Sequence, residues 1–418
     1  MTKIVKKIFI FLLIIVALNS AFINLCYADE VEEDETEEIT ETEINEVNEV
    51  SKNAAEVPIL NSRRCVIFDR TSKTVMYGKN EELRSAMAST TKIMTATIAL
   101  ENGNLQYEIT IDRKAAGTGG SRLGLKRGDK ITLNDLLYGL MLRSGNDAAV
   151  AIAEHIGGSV EGFAELMNQK ATELGLKDTH FVTPHGLDSS EHYTTALELA
   201  KLTDYALKNE KFAKIVATKS ATISINGNPR QLFNTNELLG VLNGVIGVKT
   251  GFTNGAGRCL VTETKRGDTD IIVVVLGADT KKDRTKDSIK LIEYAFANFT
   301  KVNIKEKAIE EFEKWERINR NRILIIKGQK DTISLDIGKI NTETIPVKET
   351  DKLEITINTI NQLEAPVEKN TKVGTIIIKL NDNIIDSTDI VCGEKIERKT
   401  WLDYFKENLQ ICRTIFEI

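Results

Sequence analysis

Ser89 and Lys92 stand three residues apart in Ala88-Ser89-Thr90-Thr91-Lys92-Ile93-Met94. On a helix that spacing places a hydroxyl and an amine one turn apart on one face. A serine hydroxyl is a poor nucleophile until a neighbouring base takes its proton. An amine can be that base when burial or a nearby positive charge lowers its proton affinity. Two more polar elements follow in order, Ser144-Gly145-Asn146 and Lys249-Thr250-Gly251. Lys249 offers a second ammonium. Ser144 can relay a proton, and Asn146 can orient Lys92 and donate to a substrate amide. Thr250 can bond a carboxylate beside Lys249, and Gly251 leaves room for a substrate to lie flat on the strand. Together these types fit acyl transfer through a serine, with Ser89 as nucleophile and Lys92 as general base.

The flanking sequence predicts what must position them. Ile93 to Leu100 is apolar on most faces, so a buried central helix carries Ser89 at its N-terminal end. Arg64–Asp69 and Thr74–Tyr77 read as a strand pair ahead of it. Thr132 caps a helix running to Leu142, and Ser144-Gly145-Asn146 breaks it, so the tripeptide falls in a helix–helix turn. The chain from Ala99 to Ala213 reads as mostly helical, with a helix over Ser159–Glu173 and another capped by Thr194 or Thr195. Strands return at Gly244–Val248, Arg258–Thr264 and Asp270–Gly277, separated by glycine-bearing turns, and a helix over Arg284–Phe299 follows. The fold class is therefore α/β: an antiparallel sheet flanked by helices, with an inserted helical lobe. Beyond Lys301, short strand candidates separated by lysine and glutamate predict a small all-β domain.

These elements carry a family resemblance. Ser144-Gly145-Asn146-Asp147-Ala148-Ala149, Phe233-Asn234-Thr235-Asn236-Glu237-Leu238-Leu239 and Gly247-Val248-Lys249-Thr250-Gly251-Phe252-Thr253, with the Ser89/Lys92 pair, resemble D-alanyl-D-alanine carboxypeptidases of the low-molecular-mass penicillin-binding group. The resemblance implies a β-lactamase/DD-peptidase-like fold and removal of the terminal D-alanine from peptidoglycan stem pentapeptides. It implies an oxyanion hole from the backbone N–H groups of Ser89 and Phe252, and β-lactam antibiotics as ligands. It implies no metal and no other cofactor. Thr235 stands where some relatives carry an arginine, and Arg258 where an aromatic residue is commoner; both bear on substrate affinity. Two rival readings use the same elements: a serine β-lactamase, and a non-catalytic cell-wall-binding module with a penicillin-binding fold.

Outside the site, the formal charge of −6 gives no sign of nucleic-acid binding. The chain divides into a signal peptide over 1–28, an acidic disordered linker over 29–56, the catalytic domain over 57–300, the β-rich domain over 301–396 and an amphipathic helix over 397–418. Lys3, Lys6 and Lys7 precede an apolar run, and Cys26-Tyr27-Ala28 gives a cleavage site, so export is expected. Trp401, Leu402, Phe405, Leu409, Cys412 and Phe416 recur at helical steps. By the resemblance, this tail is expected to attach the exported protein to the outer face of the cytoplasmic membrane. The scattered cysteines are expected to be mostly buried free thiols. His180, His185, Asp188 and His192 are read as shaping a loop that borders the cleft.

Overall fold

The computed structural model describes residues 39–51, 56–319 and 322–416, so the expected signal peptide lies outside the described residues. The chain forms two compact units, one ending at Ala297 and the other beginning at Asn298.

The first unit is built on a five-stranded antiparallel sheet whose strands, in spatial order, are Val75–Lys79 (β2), Arg64–Asp69 (β1), Thr269–Ala278 (β5), Gly257–Arg266 (β4) and Val245–Thr253 (β3). The apolar run of β5 is buried on both faces, as a central strand with layers on each side requires. β3 is an edge strand and brings Lys249-Thr250-Gly251 to that edge.

The helical lobe holds the other two motifs. A 3₁₀ turn over Ala88–Thr91 leads into a helix over Lys92–Asn102, whose residues from Lys92 to Ala99 are all buried. The helix over Leu133–Leu142 begins where expected, with Thr132 accepting from the Asp135 N–H. The next helix starts at Asn146 and runs to Gly157, which places Ser144-Gly145 in the turn. Ser159 and Thr195 cap Val160–Glu173 and Ala196–Ala206.

The second unit is the expected small all-β domain. Its main sheet has four strands, Leu335–Ile337, Asn383–Cys392, Lys372–Leu380 and Leu353–Thr359 in spatial order. A helix over Ile304–Asn319, absent from the sequence reading, packs Ile304, Ala308 and Phe312 into its core. Cys65, Cys259 and Cys392 are buried free thiols, and Cys412 is exposed.

Two expectations are corrected. The stretch over 29–56 is not disordered throughout, because Glu41–Ser51 is a helix. Thr40 and Glu43 form a reciprocal capping box, Ile44 is buried, and Glu43 pairs with Lys282. Capping and one apolar contact thus outweigh like-charge repulsion there. The second correction concerns the tail. Trp401–Phe416 is a 16-residue helix, about 24 Å long at 1.5 Å per residue, against a hydrocarbon core of about 30 Å. Among the described residues no helix is long and apolar enough to cross a membrane. Charged Asp403, Lys406 and Glu407 interrupt its apolar sequence, and Glu407 is tied to Lys399. The membrane is accordingly withdrawn as a partner of this tail.

Candidate active site

The three motifs, spread over some 160 positions of the chain, meet at one end of the central helix. Lys92 is fully buried, and its Nζ lies 2.8 Å from Ser89 Oγ, 2.7 Å from Asn146 Oδ1 and 2.9 Å from the His185 carbonyl. Burial holds its proton affinity well below the usual lysine range, and the positive charge of Lys249 lowers it further, against a smaller opposing pull from Asp147. A neutral amine has two N–H groups and one lone pair. The Asn146 and His185 oxygens can only accept, so the two N–H groups go to them. The lone pair then faces the Ser89 hydroxyl, which is the arrangement needed to take its proton.

The turn presenting Ser89 is held from several sides. Ala88 has φ of +47°, an uncommon conformation for a residue with a side chain. Gly186, at φ +91°, packs so closely that a methyl group there would lie 1.9 Å from Ala88 O. Gly251 faces the same turn: its Cβ would fall 3.1 Å from Ser89 N and 3.2 Å from Thr90 N. The glycine therefore lets the edge strand approach the backbone of Ser89.

Asn146 is fixed from its other end, its Nδ2 donating to Gly119 O at 2.8 Å. Beside it Asp147, fully buried, accepts from the N–H groups of Leu123, Gly124 and Leu125 at 2.7–2.9 Å. This carboxylate pins the glycine loop after residue 117 against the Ser-Gly-Asn turn. Ser144 is buried at φ +61° in that turn.

On β3, Lys249 is buried and donates to its neighbour's carbonyl, Thr250 O, at 2.9 Å. Burial, and then the Arg284 guanidinium, lower its proton affinity to about 7. Arg284 comes from the helix Lys281–Asn298 and is paired with Glu237, which also accepts from Thr285. Neither Arg284 nor Glu237 was singled out from sequence as a site residue; both matter only through tertiary placement, with no local motif to mark Arg284. Thr235 Oγ1 meets Thr250 Oγ1 at 2.7 Å. At the strand's end, Asp188 accepts from Thr253 Oγ1 at 2.6 Å and from Gly255 N at 2.9 Å. The loop carrying His185 and Asp188 thus bridges Lys92 and β3. The Arg258 guanidinium lies 3.7 Å from the centre of the Phe252 ring.

Residues 51–280 match the family model described as D-alanyl-D-alanine carboxypeptidase, and residues 312–398 match that of the penicillin-binding protein 5 C-terminal domain. The chain is 32% identical over 359 residues to the D-alanyl-D-alanine carboxypeptidase DacF of Bacillus subtilis, covering 83% of this chain and 89% of that one. It is 32% identical over 408 residues to DacA of Escherichia coli K12, covering 93% and 94%. The chain belongs to the D-alanyl-D-alanine carboxypeptidase family. Among solved structures, this carboxypeptidase resembles DacD of Francisella tularensis, with a TM-score of 0.67 and 28% identity over 83% of this chain and 96% of that one. It also resembles the Streptomyces K15 DD-transpeptidase, with a TM-score of 0.56 and 36% identity over 58% of this chain and all of that one. It is a serine-type D-Ala-D-Ala carboxypeptidase acting on peptidoglycan, it binds penicillin, and it works outside the cytoplasm.

Proposed function

We propose that this carboxypeptidase works through an acyl-enzyme on Ser89. The observation that carries the reading is the buried Lys92 amine, whose one unspent position faces Ser89 Oγ at 2.8 Å. Ser89 Oγ attacks the carbonyl of the penultimate D-alanine as Lys92 takes its proton. The N–H groups of Ser89 and Phe252 hold the oxyanion. The C–N bond breaks, and the proton that Lys92 took passes through Ser144, beside the charge of Lys249, to the departing amine of the terminal D-alanine, which leaves Lys92 neutral. Water then adds to the ester with Lys92 again as base, releasing the shortened stem peptide and restoring the serine. Thr250 and Lys249 bind the terminal carboxylate, Gly251 lets the peptide lie along β3, and Asn146 orients Lys92 and the substrate amide.

A β-lactam carries its carbonyl and carboxylate in the same relation, so it acylates the same serine. We also propose the division of the chain into an export signal over 1–28, a catalytic domain over 57–300 and a β-rich domain over 301–396. Labelled penicillin tests the assignment. Peptide mapping is expected to place the adduct on Ser89, and Ser89→Ala is expected to remain folded and unlabelled. An adduct on another residue refutes it.

A further inference from the structure

His192 is 2% exposed and touches none of the groups assigned above to the reaction. Its ring nevertheless connects to the nucleophile's turn through an ordered set of hydrogen bonds. Val182 N donates to His192 Nδ1 at 3.0 Å, with Thr183 N at 3.4 Å. A backbone N–H can only donate, so Nδ1 is the bare nitrogen and the ring proton sits on Nε2. Nε2 lies 2.8 Å from Thr91 Oγ1. Thr91 Oγ1 in turn donates to Ala88 O at 2.8 Å. Every proton therefore points the same way, from the loop backbone through the imidazole and the threonine hydroxyl to the carbonyl of the residue before Ser89.

That carbonyl belongs to the residue held at φ +47°. A non-glycine residue in this region persists only where its surroundings over-determine it. Gly186 supplies the space against Ala88 O, and the Thr91 hydroxyl supplies its hydrogen bond. We propose that His192 is a positioning residue for acylation: through Thr91 it fixes the backbone turn that aims Ser89 Oγ at the substrate carbonyl. The proposal rests on Ser89 being the nucleophile. The Phe181 and His192 rings pack in a T-shaped pair with their centres 5.7 Å apart. Burial, then His180, lower the His192 proton affinity to about 4, with Asp188 opposing and Lys92 adding slightly. The ring is consequently neutral near pH 7, and Nδ1 stays free to accept.

The test uses the full-length protein and labelled penicillin, reading the second-order acylation rate constant beside the melting temperature. A glutamine side chain can present an N–H near the place of Nε2, and phenylalanine cannot. His192→Phe is expected to slow acylation roughly tenfold to a hundredfold, the cost of a misaimed nucleophile, while His192→Gln stays close to the wild-type rate. Thr91→Val and Thr91→Ser form a second pair on the same path, deciding the matter should His192→Phe not fold: the valine is expected to lose rate and the serine to keep it. Histidine ring ¹⁵N resonances should report a bare Nδ1. Acylation at the wild-type rate in folded His192→Phe or Thr91→Val overturns the proposal, as does a bare Nε2, or a loss in both members of each pair. Absence of a Ser89 adduct in the wild type would instead refute the acyl-enzyme assignment itself, so the two failures are distinguishable.

Discussion

Asn146 holds Lys92 with one end of its amide and the glycine loop with the other, at 2.7 Å to Nζ and 2.8 Å to Gly119 O. Replacing the amide by a carboxylate keeps the shape and adds an opposite charge beside the amine. Such a charge favours the protonated amine and raises its proton affinity. The account needs Lys92 neutral, so activity rises as pH rises through its titration. Asn146→Asp should therefore move the acid limb of the acylation profile to higher pH, while Asn146→Ala slows the reaction without moving the limb upward. An unmoved limb in Asn146→Asp would argue against Lys92 as the base.

Lys249 acts in the opposite sense. In the proposed reaction its charged form is the useful one, and burial with the Arg284 charge lowers its pKa to about 7 in the free protein. The alkaline limb of kcat/KM should fall there. The substrate carboxylate favours the ammonium, so the corresponding limb of kcat should lie at higher pH. Lys249→Ala should lose on the order of 10²-fold in turnover and keep its melting temperature. Near-normal turnover with a large melting loss would make Lys249 structural.

Gly251 tests the approach of β3 to Ser89. An added methyl group would meet Ser89 N at 3.1 Å and Thr90 N at 3.2 Å, and backbone cannot swing aside as a side chain can. Gly251→Ala should slow acylation at least about tenfold by shifting the turn. Wild-type acylation in that variant would show that the strand has slack here.

Glu263, opposite Gly247 in the pairing of β4 with β3, sits with Arg70, Asp270 and Asp204. Burial raises its proton affinity to about 7, more than the Arg70 charge lowers it. The folded state thus binds this proton more tightly than the unfolded chain. Its stabilisation is complete below the ordinary carboxyl range near 4.5 and is lost as pH rises through about 7. Melting temperature should fall between pH 5 and pH 8, and Glu263→Gln should flatten that fall. Equal slopes in both proteins would assign the pH dependence elsewhere.

The motifs that meet at the candidate site were legible because each is local. Ser89 and Lys92 need only one helical turn between them, and Ser144-Gly145-Asn146 and Lys249-Thr250-Gly251 are contiguous. Thr132 also marked its helix correctly, since a cap is written in adjacent residues. Some missed elements carried a signal that went unused. Asn226-Gly227, at φ +54° and +80°, is the turn of a hairpin between Ser220–Ile225 and Asn228–Phe233. Thr40 and Glu43 spelled a capping box inside a run that overall acidity made look disordered. The helix over Ile304–Asn319 buries Ile304, Ala308 and Phe312 at four-residue steps amid lysine and glutamate. The roles of Arg284 and His192 had no such signal. They depend on which buried charge or ring the fold sets behind the motif, and nothing in the neighbouring residues records it.

The central claim is an acyl-enzyme on Ser89 that is hydrolysed after one D-alanine leaves. Mass spectrometry of the full-length protein mixed with a stem pentapeptide measures it directly. A transient adduct is expected on Ser89 whose added mass equals that of the pentapeptide less one free D-alanine, with no adduct on any other residue. It also predicts accumulation of tetrapeptide and free D-alanine, both abolished in Ser89→Ala. Tetrapeptide release by Ser89→Ala at the wild-type rate, or an adduct on a different side chain, would contradict it.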